Sequence, residues 1–268
     1  MANIQIACQT YTWEMLGDAR TGRVDDILDW VADAGYAGIE ITNNMIREYA
    51  DRPTDFAVAL ERRELQLAAF AFSSPSGFTQ PDWWERDLQG AMTAASFIQQ
   101  MPAPRLALGG AANAIHDRLR VDRAIRFYNE VGRLASEIGV AVNVHPHSHH
   151  GSLLESAAEY AYLLDGLDTR YVSFGPDTGH IVRGGQDVLE CLRTHMPRIT
   201  HLHIKDATAA REWVGLGEGV CEFRAVFELL EQSGYTGWVV AEEESADARR
   251  DGVSAIRKNR AYLRSIGY

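Results

Sequence analysis

Two histidines stand two positions apart in the segment 199–206, which reads Ile-Thr-His-Leu-His-Ile-Lys-Asp. Successive side chains of a β-strand point to opposite faces, so His201 and His203 share one face of a strand here. A buried parallel strand is normally a nearly continuous apolar run, and two imidazoles on one face therefore need a chemical reason. We predict that this strand ends at an active site, with His203 as a metal ligand and His201 as a substrate contact.

Carboxylates follow two other β-prone runs and extend this pattern. Asp177 comes after the run 171–174, and Glu242 comes after the run 238–241. Carboxylates with one imidazole suit Mn²⁺, Co²⁺, Mg²⁺ or Zn²⁺, and Mn²⁺ is the ion we expect. Glu242 and Glu244 share a strand face. We predict that Glu242 is a ligand and that Glu244 bonds a ligand, binds the substrate or acts as a base.

A histidine-rich tract follows the run 140–144, with histidines at 145, 147, 149 and 150. Such a tract can bind metal by itself, but its place at a strand end favours an active-site loop. His145 comes first and should point into the site, where a pKa near 6.5 suits proton transfer at neutral pH. We predict His147 as a substrate contact. His180 lies three residues after Asp177 and is predicted to face the same cavity.

Two further features bear on the substrate. Trp13 lies in the predicted loop after the first strand and either packs against a sugar ring or belongs to the rim. The segment 215–219, Gly-Leu-Gly-Glu-Gly, lacks the Lys-Ser/Thr of a P-loop. It is expected to be a plain turn, a loop that closes over substrate, or a phosphate site built from backbone N–H groups.

Alternating strands and helices are predicted to position these residues. Short β-prone runs recur at 4–7, 38–41, 65–72, 105–108, 140–144, 171–174, 199–204 and 238–241. Segments with helical apolar spacing lie between them at 24–34, 51–64, 83–101, 121–138, 153–164, 188–195 and 223–234. This alternation predicts a (β/α)₈ TIM barrel, with an open doubly wound sheet as the alternative. In a barrel, catalytic groups gather at the carboxyl ends of the strands, where the polar residues above occur.

Composition limits the partners. The chain has 268 residues, of which 46% are hydrophobic, and it contains no linker or low-complexity stretch, so we predict one barrel domain over 1–268. The net charge of −11 disfavours nucleic acid and anionic membranes as partners. No apolar run approaches the roughly 20 residues of a membrane span, and the N-terminus does not read as a signal peptide. Three scattered cysteines suit reduced thiols in a cytoplasm.

These pieces, in this order, resemble the xylose isomerase-like barrel superfamily, the sugar phosphate isomerase/epimerase group, over nearly the whole chain. The resemblance is carried by Gly-Ile-Glu at 38–40, Pro-Asp-Thr-Gly-His at 176–180, His-Leu-His-Ile-Lys-Asp at 201–206, the glycine-rich segment 215–219 and Gly-Tyr-Thr-Gly-Trp-Val-Val-Ala-Glu at 234–242. It implies a divalent metal held by a Glu, an Asp, a His and a Glu at the ends of four successive strands. Asp177, His203 and Glu242 match three of these.

The chain departs from this pattern at the fifth strand, where many members place a metal-binding Glu and this chain has His145. The stretch 145–155 looks more like the inosose dehydratase branch and the related C-glycoside-cleaving subunits. Glu155 is expected to supply the missing carboxylate by folding back. In the alternative, His145 or His147 binds the metal itself.

The resemblance implies a metal-dependent sugar isomerase or epimerase that removes a proton α to a carbonyl of a sugar or cyclitol. His145 or the non-ligating glutamate is the expected base, Lys205 and the metal hold the enediolate, and Glu40 contacts the substrate. Loss of a β-hydroxyl gives a dehydratase-type lyase instead, with His180 or His147 as acid. A DNA endonuclease and a barrel without independent catalysis, either a carbohydrate-binding protein or one subunit of a larger enzyme, are the rival hypotheses. A homo-oligomer or a partner subunit fits the resemblance.

Overall fold

The computed structural model describes residues 4–148 and 151–268, and it divides into two compact units. The first unit contains Met1–Ala68 and His201–Tyr268, and the second contains Ala69–Thr200. His149 and His150 of the histidine-rich tract lie outside the described residues.

Strands and helices alternate along the described chain. The strands are β1 (Gln5–Gln9), β2 (Gly38–Thr42), β3 (Gln66–Phe72), β4 (Arg105–Gly109), β5 (Ala141–His145), β6 (Val172–Phe174), β7 (His201–Ile204), β8 (Asp206–Ala207), β9 (Trp213–Val214) and β10 (Trp238–Ala241). The α-helices are α1 (Tyr11–Glu14), α2 (Val24–Ala34), α3 (Pro53–Glu61), α4 (Trp84–Ile98), α5 (Arg118–Glu137), α6 (Ala157–Gly166), α7 (Thr178–Arg183), α8 (Val188–His195), α9 (Phe223–Gln232), α10 (Ala246–Arg250) and α11 (Gly252–Ser265). Within the described ranges, no helix has both the length and the apolar character to cross a bilayer.

The first unit is built on parallel strands in the order β2-β1-β10-β7. In this register Gln9 lies opposite Glu40, and Val240 lies opposite His203. On the same sheet, Ala7, Ala68 and Val240 form a buried cluster against which Trp238 packs. Because Ala7 and His203 both lie opposite Val240 in the register, this apolar cluster lies beside His203.

Helix α2 shows why the sequence folds this way locally. Its apolar residues Ile27, Leu28 and Val31 are buried against the sheet, as the helical spacing requires. The helix ends at Gly35, whose φ of 84° is left-handed and costs glycine little. The C-terminal helix α11 packs on α2, and it starts at an N-cap, Asp251, whose side chain accepts from the Ser254 N–H.

The second unit continues the pattern with parallel strands in the order β6-β5-β4-β3. His145, the last residue of β5, lies opposite Gly109 of β4. Outside the sheet, Phe78 stacks on Phe127 of α5 with ring centroids 4.7 Å apart. The strand ends that carry the predicted site residues of this unit are therefore held by a well-packed helical layer.

All eight predicted strands occur, with ends shifted by up to two residues. The features that were not predicted are the antiparallel hairpin β8–β9, the short helices α1 and α7, and the last helices α10 and α11. Trp13 therefore lies in helix α1 and not in a loop. Helix α11 escapes a search for apolar spacing because its buried residues are interspersed with arginine and lysine, and a two-residue strand is too short to show alternation.

Candidate metal centre and active site

His203 on β7 is bonded to a carboxylate on each side of its ring. Its Nδ1 lies 2.7 Å from Glu242 Oε2, and its Nε2 lies 3.0 Å from Glu40 Oε1. All three side chains are buried. Glu40 is also 2.5 Å from His201 Nε2 and 2.6 Å from Gln9 Nε2. The first unit therefore brings His203 and Glu242 together, as predicted for two ligands of one ion.

Neighbouring charges shift the pKa values of Glu40 and His203. Burial alone would raise the pKa of Glu40, but the neighbouring His203 and His201 hold it well below its usual range. Burial would likewise lower the pKa of His203, yet the carboxylates of Glu40 and Glu242 raise it to about 10. Without a metal, the imidazole is thus a cation held between two carboxylates.

Lys205 links Glu242 to a second glutamate, Glu244, through its ammonium group. Its Nζ lies 2.6 Å from Glu242 Oε1 and also bonds Glu244, and it sits 4.6 Å from the centre of the Trp213 ring on β9. Burial raises the pKa of Glu244 to about 7, with Lys205 opposing and Glu242 adding to the rise. A carboxyl group with that pKa can accept or release a proton near neutral pH.

Three predicted substrate contacts in this unit take other roles. Glu40 and His201 are both fully buried and bond each other, and Glu40 also bonds His203, so we propose that they support His203 rather than bind substrate. Trp13 is 2% exposed and stacks on Trp30 with centroids 5.9 Å apart. Its ring is used in packing, which is the alternative that the sequence left open.

In the second unit, Asp177 is the N-cap of helix α7. It is fully buried, and its Oδ1 accepts from the His180 N–H at 2.8 Å. An N-cap aspartate followed by Thr-Gly-His is a common helix start, and here it fixes both the carboxylate and His180 at the end of β6.

Hydrogen bonds determine the ring states of two histidines. A carbonyl oxygen can only accept, so the 2.9 Å contact between His145 Nδ1 and Gly175 O places a proton on Nδ1. The lone pair of the neutral His145 ring is then on Nε2. In contrast, His180 Nδ1 accepts the Ser148 N–H at 3.0 Å, so His180 carries its proton on Nε2. His145 can therefore bind a metal or act as a base, while neutral His180 is a hydrogen-bond donor.

His147 lies with these two rings, 4.7 Å from His145 and 5.1 Å from His180 between centroids. The three imidazoles are close enough to share an ion. However, a metal on His180 Nε2 would require an imidazolate, because Nδ1 already accepts a backbone proton. The same argument revises the predicted acid role of His180, since a neutral ring that lost its Nε2 proton would become an anion.

Glu155, the carboxylate expected to fold back, occupies the turn before α6. Its backbone carbonyl accepts from Gln186 Nε2 at 2.5 Å, and its N–H donates to Glu159. Among the described residues, it belongs to none of the side-chain groups whose donor atoms are close enough to share an ion. The alternative first ligand, His145, has the ring state that a ligand needs.

The glycine-rich segment 215–219 is held by hydrogen bonds to the side chain of Asp206. The Asp206 carboxylate accepts N–H groups of the loop residues Gly217, Gly219 and Cys221, at 2.9–3.1 Å, and that of its neighbour Ala207. Those N–H groups point at a carboxylate, so the expectation of a phosphate site does not hold for them. The segment is an ordered loop around a buried anion.

Replacing Asp206 with alanine is expected to lower the free energy of unfolding by about 2–4 kcal/mol, because several N–H groups lose a charged acceptor at once. Asp187→Ala is the matched control, since within the described part of the chain that N-cap side chain accepts one N–H, from Glu190, and its loss should cost about 1 kcal/mol. Urea unfolding compares the two variants. Equal losses would mean that Asp206 does not organise the loop.

Sequence reasoning missed three supporting residues. Gln9 and Ser148 bond Glu40 and His180, while Asn259 donates to Glu243 at 2.7 Å and accepts the Leu216 N–H at 2.9 Å. Gln9 had a usable signal, because it is a polar residue at the end of an apolar strand. Asn259 had none, since its partners lie far from it in sequence.

Known proteins resemble this chain over most of its length. A family model described as xylose isomerase-like TIM barrel matches residues 28–266. An inosose dehydratase of Geobacillus thermodenitrificans (strain NG80-2) is 29% identical over 266 residues, covering 87% of this chain and 86% of the relative.

Solved structures share the fold at low sequence identity. An IolI protein with a bound zinc atom has a TM-score of 0.83 at 14% identity, covering 98% of both chains. D-Psicose 3-epimerase from Clostridium cellulolyticum H10, solved with D-tagatose, has a TM-score of 0.78 at 16% identity, again covering 98% of both. The match of the family model over most of the sequence confirms the predicted (β/α)₈ barrel, and the chain belongs to the xylose isomerase-like TIM barrel family.

Proposed function

We propose that this chain is a divalent-metal-dependent enzyme that removes a proton α to the carbonyl of a keto-sugar or keto-cyclitol. One observation carries the proposal: His203, Glu242, Lys205 and Glu244 form a continuous series of buried, mutually bonded charged groups at the ends of two adjacent strands. Burying four ionisable groups together is costly, and such clusters are characteristic of active sites.

For the metal we propose Asp177, His203 and Glu242 as ligands, with His145 as the first ligand in place of Glu155. The donors suit the ion, since two carboxylates and two imidazoles are a common set for Mn²⁺, Co²⁺ or Zn²⁺. The His145 ring supports this choice, because a ligating histidine typically donates its other N–H to a backbone carbonyl. When bound, the ion polarises the substrate carbonyl and acidifies the neighbouring C–H.

The side chains divide the remaining work. With His145 as a ligand, Glu244 is the base that takes the α-proton. Lys205, already bonded to Glu244, donates a hydrogen bond to the oxygen on which negative charge develops. His180 donates from Nε2 to a substrate oxygen, and His147 lines the same side.

Dehydration is the outcome that we favour. In this reaction the α C–H bond breaks toward Glu244, the carbon–carbon double bond of an enol forms, and the β C–O bond breaks. The proton taken by Glu244 leaves with the β-hydroxyl as water. The curated inosose dehydratase relatives support this choice. Epimerisation, in which the proton returns to the other face of the same carbon, is the second candidate. The structural likeness to sugar epimerases supports it as an alternative.

Isotope exchange tests the proposal. The purified chain with Mn²⁺ is incubated in D₂O with a panel of inososes and keto-sugars, and products are followed by NMR and mass spectrometry. We expect deuterium at the α-carbon, loss of one water from an inosose, and loss of both signals with a chelator. A new stereoisomer of unchanged composition would identify an epimerase. Absence of exchange across the panel, in protein shown to hold metal, would contradict the proposed chemistry.

Three further features stay predictions: a cytoplasmic location, assembly with itself or with a partner subunit, and Mn²⁺ as the physiological ion. The acidic net charge of −11 continues to disfavour a nucleic-acid substrate.

A further inference from the structure

Glu40 is a buried carboxylate of the first unit that is not among the proposed metal ligands. It lies on β2, is fully buried, and bonds three nitrogen donors: His203 Nε2, His201 Nε2 and Gln9 Nε2. The proposed chemistry gives it no contact with substrate. We therefore expect this buried carboxylate to have a role other than substrate binding.

Second contacts fix the orientation of two of these donors, Gln9 and His203, toward Glu40. The Gln9 amide oxygen accepts from Thr10 Oγ1 and from the Tyr11 N–H, both at 3.2 Å, which turns Nε2 toward Glu40. On the other side of the His203 ring, Nδ1 faces Glu242 at 2.7 Å. Both ring nitrogens thus face carboxylates in the metal-free protein, and of these two carboxylates Glu242 is the proposed ligand. When a metal replaces the proton on Nδ1, Nε2 keeps its proton for Glu40, because an ionised carboxylate only accepts.

We propose that Glu40 is a positioning residue that holds the His203 ring in the orientation and tautomer presenting Nδ1 to the metal, with Gln9 and His201 holding Glu40 in turn. This inference rests on the proposed function, because it presumes that His203 is a ligand. A carboxylate behind a ligating imidazole raises the basicity of the ligand and fixes its direction. The residues of this arrangement lie on three strands: Gln9 on β1, Glu40 on β2, and His201 and His203 on β7.

Glu40→Gln tests the inference by metal binding rather than by turnover. The amide keeps the size of the side chain but replaces one acceptor oxygen with a donor, which opposes an imidazole N–H. We expect the Kd for Zn²⁺, measured by chelator competition, to rise about 10–100-fold. The visible absorption of the Co²⁺-substituted protein should change as well, because the direction of one ligand changes. A purely structural role would leave both unchanged in folded protein.

Asp87→Asn is the matched control. Asp87 is a buried carboxylate on α4 that bonds Ser74 and Ser76, outside the proposed site, and its amide variant should keep the wild-type Kd. If Glu40→Gln does not fold, Gln9→Met leaves Glu40 in place but removes the amide that donates to it, together with the amide oxygen that accepts from Thr10 and Tyr11, and should weaken binding about fivefold.

The outcomes separate the two proposals. Wild-type protein that binds no divalent metal would overturn the proposed function and this inference with it. Wild-type protein that binds metal while Glu40→Gln binds with the same Kd and the same Co²⁺ spectrum would overturn the role of Glu40 alone. A weakening in Glu40→Gln that is matched in Asp87→Asn would also overturn it, because the effect would then be general destabilisation.

Discussion

His203→Ala is expected to remove the bound metal and to lower kcat/KM by at least about 10³-fold, the scale of losing the main electrostatic stabilisation of a transition state. His203 is the only described residue whose ring contacts both Glu40 and Glu242, so its loss opens the centre of the charged series. Metal content by elemental analysis and turnover of the substrate found in the D₂O screen measure the two effects.

His195→Ala is the control for this substitution. His195 ends helix α8 and packs edge-on against Phe174 at 5.8 Å, away from any proposed ligand. It should retain metal and turnover. A His203→Ala variant with full metal content and near wild-type kcat/KM would show that the reaction does not use this residue.

Lys205→Met is expected to have the second large effect, on stability as well as on rate. Removing the ammonium leaves Glu242 and Glu244 buried beside each other without their shared cation, and breaking a buried ion pair in this way costs about 3–5 kcal/mol. We expect a value near the lower end, about 3 kcal/mol, because burial has already raised the pKa of Glu244 to about 7 and it can take up a proton. The rate should fall about 10²–10³-fold, as when one donor to a developing oxyanion is lost.

Urea unfolding of metal-free protein measures the stability change, and Arg133→Met provides the comparison. Arg133 also pairs with two glutamates, Glu130 and Glu137, but its side chain is 43% exposed, so its loss should cost less than about 1 kcal/mol. Similar losses in the two variants would mean that burial does not set the energetics at Lys205.

The sequence predicted the strands well because alternation and capping are local. Asp177, Glu242 and His145 were predicted as site residues from their places after β-prone runs, and His203 from the spacing of two histidines within such a run. The glycine at the end of α2 and the N-cap aspartate before α7 are equally local signals.

The sequence could not show which group each polar side chain contacts in the folded protein. Glu40 was expected to contact substrate, yet the structure uses it to hold two histidines from β7, more than 160 positions away. Asp206 was read as part of a motif, and its bonds to the loop N–H groups depend on how the segment 215–219 folds back. The ring states of His145 and His180 depend on a carbonyl and an amide that only the folded chain brings to them.

The most direct test is a crystal structure of the protein soaked with Mn²⁺, with the ion located by its anomalous scattering. Our account predicts one strong peak within about 2.0–2.4 Å of Asp177, His203 Nδ1, Glu242 and His145 Nε2, with Glu40 still bonded to His203 Nε2. A peak bound by other residues, or these four side chains without an ion at saturating Mn²⁺, would contradict it.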